Sequence, residues 1–133
     1  MHYISLDKDQ LLDMHMLMVE RYGGRMGLIS NDVLVHVVET PQQIYFGQLR
    51  FVTPIQQIAA VVYALVRRQP FVSQNETTAL LLLLYLCNQH GYRLVLPHRD
   101  IVTAIVNIHG DADETPFCQW LRVNVTVDDN TVN

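Results

Sequence analysis

Cysteine is scarce in this chain of 133 residues: Cys87 and Cys118 stand far apart, with no C-x-x-C spacing between them. Both read as reduced, mostly buried thiols, and the compartment they suit is the cytoplasm. Charge is scarce too. Charged residues make up 17% of the chain, the net charge is −4, and the nine basic residues are scattered, so no nucleic-acid footprint is expected. No apolar run approaches the about 20 residues that span a bilayer. The longest, within 79–87, has Glu76, Thr77 and Thr78 before it and Asn88, Gln89 and His90 after it, so no membrane span is expected. Met1–Ser5 shows no basic segment followed by an apolar one, which argues against a secretory signal. There is no internal repeat.

Half the residues are hydrophobic, enough for one domain with a substantial core. That domain is expected over 1–123, with a polar tail over 124–133 that has little to bury and should be disordered. The first helix is expected from Ser5, with Leu11, Leu12, Met14, Leu17, Met18 and Tyr22 at helical spacing, until Gly23-Gly24 stops it. Met14, Met16 and Met18 alternate and so point in different directions, which favours core filling over a metal stripe with His15. Ser30-Asn31-Asp32 caps a second helix of about eight residues that Pro41 ends. Thr53-Pro54-Ile55-Gln56 is a capping box with proline in the first turn, and its helix runs to Arg68. A further helix, apolar on every side from Ala79 to Cys87, reads as the buried centre of the fold and stops at Gly91. Tyr92–Leu96 is then an extended connector, Pro97–Ile108 a helix, and Thr115-Pro116 the start of the last one. The fold class is all-α.

One segment changes period. Ile44, Tyr45, Phe46, Gly47, Gln48, Leu49, Arg50, Phe51 and Val52 read as a β-hairpin whose Gly47 takes the first position of a type II′ turn. In that register Ile44 faces Phe51, Phe46 faces Leu49, and Tyr45 lies opposite Arg50. A lone hairpin is marginal in water, so its apolar face is expected to lie on the helices.

The stretch with most chemistry to offer lies just before the central helix, where unpaired N–H groups and the positive end of the helix dipole gather. Ser73 and Glu76 have the spacing of a capping box, which makes the stretch a well-formed helix start. The six histidines, at 2, 15, 36, 90, 98 and 109, include no H-x-x-x-H pair, and read as surface or satisfied core residues. Asp111, Asp113 and Glu114 lack the glycine and terminal glutamate of a calcium loop and read as a solvated turn. No metal ligand is assigned.

Taken together, the order of elements and this stretch resemble the Fic/Doc family, and more closely its death-on-curing branch. The resemblance covers about Ile4 to Val123. It includes Glu20-Arg21-Tyr22-Gly23-Gly24, Pro41-Gln42-Gln43 before a hairpin flap, Ala59-Ala60, and Asn88-Gln89-His90-Gly91-Tyr92. The family motif H-x-F-x-D-A-N-K-R-T-A falls on residues 69–79. Phe71, Asn75, Thr78 and Ala79 match it. Gln69 replaces the histidine that the resemblance implies as catalytic base, and an amide has no useful proton affinity near neutral pH. Ser73 replaces the acidic metal ligand, and a hydroxyl binds Mg²⁺ much less well than a carboxylate. Glu76 replaces a phosphate-facing lysine; across about 5 Å at an effective dielectric near 20, the sign change reverses an interaction of about 3 kcal/mol. Thr77 removes the arginine fork.

The resemblance therefore implies a helical Fic/Doc-like domain without its chemistry: a catalytically inactive binding or regulatory protein, needing no cofactor. The alternative is a toxin-type transferase, using ATP and Mg²⁺ to phosphorylate or AMPylate a protein hydroxyl, with Arg67, Arg68 and Arg93 as replacement cations. The implied partner is a protein, antitoxin-like or a strand-like segment held at the 44–52 flap, and self-association is left open. The family's inhibitory helix pattern, [ST]-x-x-x-E-[GN], does not occur.

Overall fold

The computed structural model describes residues 4–127. Within them six helices and two small antiparallel sheets follow one another along the chain. Helix α1 (Lys8–Tyr22) starts later than Ser5 suggested. Ile4 is buried and donates its N–H to Gln57 Oε1 at 3.0 Å, which holds the entering chain extended. Asp7 is the cap instead, in a reciprocal box with Gln10. Gly23, at φ 85°, ends the helix as expected. Helix α2 (Asn31–Glu39) is capped by the Ser30 hydroxyl and runs into a 3₁₀ turn, Thr40–Gln42, that contains Pro41.

Strands β1 (Ile44–Tyr45) and β2 (Gln48–Leu49) form the hairpin, in a different register from that expected: Ile44 pairs with Leu49 and Tyr45 with Gln48. The turn residues are Phe46 and Gly47, both at positive φ (53° and 78°), as in a type I′ turn with glycine second. Its right-handed twist suits a two-residue hairpin loop, and it sets aside the apolar alternation. Ile44 is 58% exposed and Phe46 fully so, while Phe51 alone enters the core. Arg50 still lies 4.9 Å over the Tyr45 ring. It is fixed there by hydrogen bonds to Gln43 and Tyr45 and by an ion pair to Glu114 at 3.3 Å.

Helix α3 (Pro54–Arg68) has the expected Thr53–Gln56 box and is the most deeply covered element, with nine buried residues. Helix α4 (Asn75–Gln89) packs on it, and on α1 and α5 (His98–Asn107). Its burial is less complete than its all-round hydrophobicity suggested. Leu82, Leu83 and Leu86 face the core, but Leu84 is 39% exposed and Leu81 and Tyr85 are half-buried beside α1. Gly91, at φ 73°, lets the chain turn after α4.

The connector that follows is a true strand, β3 (Tyr92–Leu94). It pairs with β4 (Val125–Val127), directly after α6 (Thr115–Asn124). The first residues of the expected disordered tail are therefore helical and then extended. Residues 128–133 of that expected tail lie outside the described residues. Cys87 and Cys118 are both buried free thiols, and burial pushes the Cys87 thiol up to about 12. Among the described residues no helix is long and apolar enough to cross a membrane.

Candidate functional site

The loop from Gln69 to Gln74 joins α3 to α4, and both of its ends are left-handed. Gln69 (φ 47°) closes α3, and Gln74 (φ 60°) opens α4. For a residue with a Cβ each such position costs about 1–2 kcal/mol, so the surroundings must impose it. Asn75 does part of this. Its Oδ1 accepts the Phe71 N–H at 3.1 Å and its Nδ2 donates to the Phe71 carbonyl at 2.9 Å, which folds the loop back on itself. Thr78 donates to the Gln74 carbonyl at 2.7 Å, and Ala79 packs in the core behind them. Phe71, Asn75, Thr78 and Ala79 are all buried.

The capping box expected of Ser73 and Glu76 does not form. Gln74, not Ser73, is the N-cap, and no side chain caps the first turn of α4. Ser73 Oγ turns the other way, accepting the Arg25 N–H at 2.9 Å and donating to the Arg25 carbonyl at 3.0 Å. Those two bonds outcompete a cap because they satisfy both donor and acceptor capacities of the hydroxyl at once. Glu76 reaches outward to His109 Nε2 at 2.8 Å. Both side chains are more than a third exposed, so water screens the pair and it adds little stability. Thr77 donates to Gln74 Oε1 at 2.6 Å. Gln69 is exposed, its backbone N–H spent on the Leu65 carbonyl.

Sequence reasoning overlooked two contributors. The first is the connector between α1 and α2, which lies antiparallel along the loop. Ile29 N–H donates to the Pro70 carbonyl at 2.7 Å, Val72 N–H to the Gly27 carbonyl at 3.1 Å, and Gln74 Nε2 to the Gly23 carbonyl at 2.8 Å. Leu28 and Phe71 form the bridge between the two segments. Close approach demands glycine here: at Gly24 (φ 108°) an added Cβ would meet Ser73 Oγ at 2.6 Å. The cluster Gly23, Gly24 and Gly27 was the available signal. The second contributor is His15, four residues after the buried Leu11 on the core face of α1. Its ring stacks on Phe71 with centroids 3.7 Å apart, and its Nε2 lies 2.9 Å from the Ser73 carbonyl. A carbonyl only accepts, so Nε2 carries the proton. Burial pulls the His15 pKa below its usual value, against a smaller opposing effect of that hydrogen bond.

Beside the first turn of α4 is a cleft of about 300 Å³, with Glu76, Thr77 and His98 among its polar lining and Leu80, Val102 and Val106 among its apolar lining. Among the described residues no lysine or arginine lines it. Arg67, one of the candidate replacement cations, donates to the His109 carbonyl at 2.6 Å and lies 6.0 Å from the Tyr63 ring centroid. Among the described residues no three His, Cys, Asp or Glu side chains converge as a metal site.

A helical domain with a hairpin flap, and a buried Phe–Asn pair shaping the loop before its central helix, defines a narrow class. The chain belongs to the Fic/DOC family, whose model matches residues 5–87, from the segment entering α1 to the end of the core face of α4. Comparison with curated proteins finds no match.

Proposed function

We propose that this protein is a catalytically silent member of the Fic/DOC family that works in the cytoplasm by holding another protein. The observation that carries the reading is how the motif divides. The four retained residues are buried and build the loop, whereas the four replaced ones, Gln69, Ser73, Glu76 and Thr77, are those with solvent access. A chain under selection for its fold alone keeps the first set and is free to change the second. The donor set also does not fit a magnesium–nucleotide. Gln69 offers no base, the Ser73 hydroxyl is committed to Arg25, and Glu76 puts a negative charge where phosphates would lie. No observation favours the alternative transferase, since Arg67, Arg68 and Arg93 are absent from the cleft lining.

What remains serviceable is the flap. Ile44, Tyr45 and Phe46 present apolar side chains to solvent on a two-stranded sheet, and an extended segment adds to a sheet edge through backbone bonds that need none of the lost residues. The partner fitting this surface is an apolar, strand-like segment of another protein, such as an antitoxin-like chain. The deciding experiment is calorimetric titration with ATP, with and without Mg²⁺. Dissociation constants no tighter than about a millimolar are expected, and one in the low micromolar range would overturn the reading.

A further inference from the structure

The cleft beside α4 combines an apolar wall with one carboxylate. Its apolar lining comes from Leu80, Val102, Val106 and the fully buried Ile105, and Tyr22 adds an aromatic ring from the end of α1. At about 300 Å³ it matches the small end of ligand pockets, which run from about 300 to 1,000 Å³. The charge available to a ligand there is negative. Glu76 meets His109 through Oε2, and Oε1 has no hydrogen-bond partner among the described residues. His98 and Tyr22 are the other ionisable side chains of the lining.

We propose that this cleft binds an organic ammonium ion with a compact apolar body, with Glu76 as its counter-ion and the Leu80–Val102–Ile105–Val106 surface taking the hydrocarbon. Charge complementarity selects the class. An anion would face the Glu76 carboxylate with no lysine or arginine among the described lining residues, His109 holding Oε2 from outside that lining, and a neutral ligand would cover Oε1 without replacing its water. Tyr22 brings an aromatic ring to the lining, and aromatic rings attract ammonium groups. This goes beyond the functional reading and shares one premise with it, that Glu76 places a negative charge beside the first turn of α4.

The test is an amide-detected NMR titration of the full chain with phenethylamine, 2-phenylethanol and 3-phenylpropionate, which share a phenyl body and differ in charge. Saturable shifts at Glu76, Thr77, Val102 and Val106 are expected with the amine, with a dissociation constant on the order of a millimolar. The alcohol should bind up to about five-fold more weakly, the gain of one exposed ion pair, and the carboxylate not at all. Glu76→Gln should bring the amine to the level of the alcohol. His109→Ala, which releases the second carboxylate oxygen, should tighten the amine. Equal binding of the three probes, shifts that map outside the cleft, or an amine affinity unmoved by Glu76→Gln overturns the proposal. The probe comparison on the unaltered chain depends on no variant folding. Tight ATP binding with shifts outside the cleft would sink the silent-binder reading alone, tight ATP binding within the cleft would sink both, and loss of discrimination between amine and carboxylate would sink only this inference.

Discussion

Replacing Asn75 with alanine separates architecture from chemistry in the motif. Asn75 is 5% exposed and Phe71 1%, and the amide of the first satisfies both backbone groups of the second. Alanine keeps the helix start but leaves a buried N–H and a buried C=O without partners. Each such group costs about 1–3 kcal/mol, so the expected loss is about 2–5 kcal/mol once some water reaches the loop. For a domain of this size that lowers Tm by roughly 8–20 °C. Asn75→Asp keeps the acceptor for the Phe71 N–H but sets a carboxylate against the Phe71 carbonyl, and should fall between alanine and the parent. Ser73→Ala is the control from the replaced set. Its hydroxyl bonds lie where solvent can take over, so about 1 kcal/mol is expected. Thermal and denaturant unfolding followed by circular dichroism measure all three. If Asn75→Ala costs no more than Ser73→Ala, the loop is not held by the retained residues, and the division on which the functional reading stands is wrong.

His15 should make stability depend on pH. Its folded pKa lies below the unfolded 6.5, so the unfolded chain binds more protons in the window just under 6.5. Stability is therefore full above about pH 6.5 and declines as pH falls toward the lowered folded value, and denaturant midpoints should show a smaller decline in His15→Gln. An unchanged decline would remove His15 from the account. Gly24→Ala should cost about 1–3 kcal/mol, from the positive φ and the clash with Ser73 Oγ, and adding Ser73→Ala should recover only part of the lost Tm. A stable Gly24→Ala would mean that the connector does not hug the loop.

The helices were legible because their signals are local: the Thr53–Gln56 box, the Ser30 cap, the glycine stops and 3.6-residue spacing are each complete within a few residues. What escaped was decided at long range. Ser73 has the right neighbour at Glu76 for a box, yet its partner Arg25 stands 48 residues away, and two bonds there prevail over one nearby. Strand β4 could not be foreseen from a polar tail, since its partner β3 lies on the far side of α5 and α6. The hairpin went astray by one turn position, because glycine serves a II′ turn in the first place and an I′ turn in the second, and the alternation of apolar residues favoured the wrong choice. In the loop itself, the sequence marked the positions to watch, while the place of each side chain depended on neighbours that a linear reading does not supply.

The glycine connector lying along the motif loop also bears on the order of assembly. Its bonds join segments more than forty residues apart in the chain, so closing them carries a loop entropy that α3 and α4 do not incur in packing on each other. The two-helix hairpin can form early and the loop between its helices settle last, once α1 and the connector dock. The Ile29 and Val72 amides would then exchange with solvent whenever the N-terminal segment lifts off, even while α3 and α4 stay paired. The shape of the motif loop is thus as durable as the docking of α1 and its connector, and no more so.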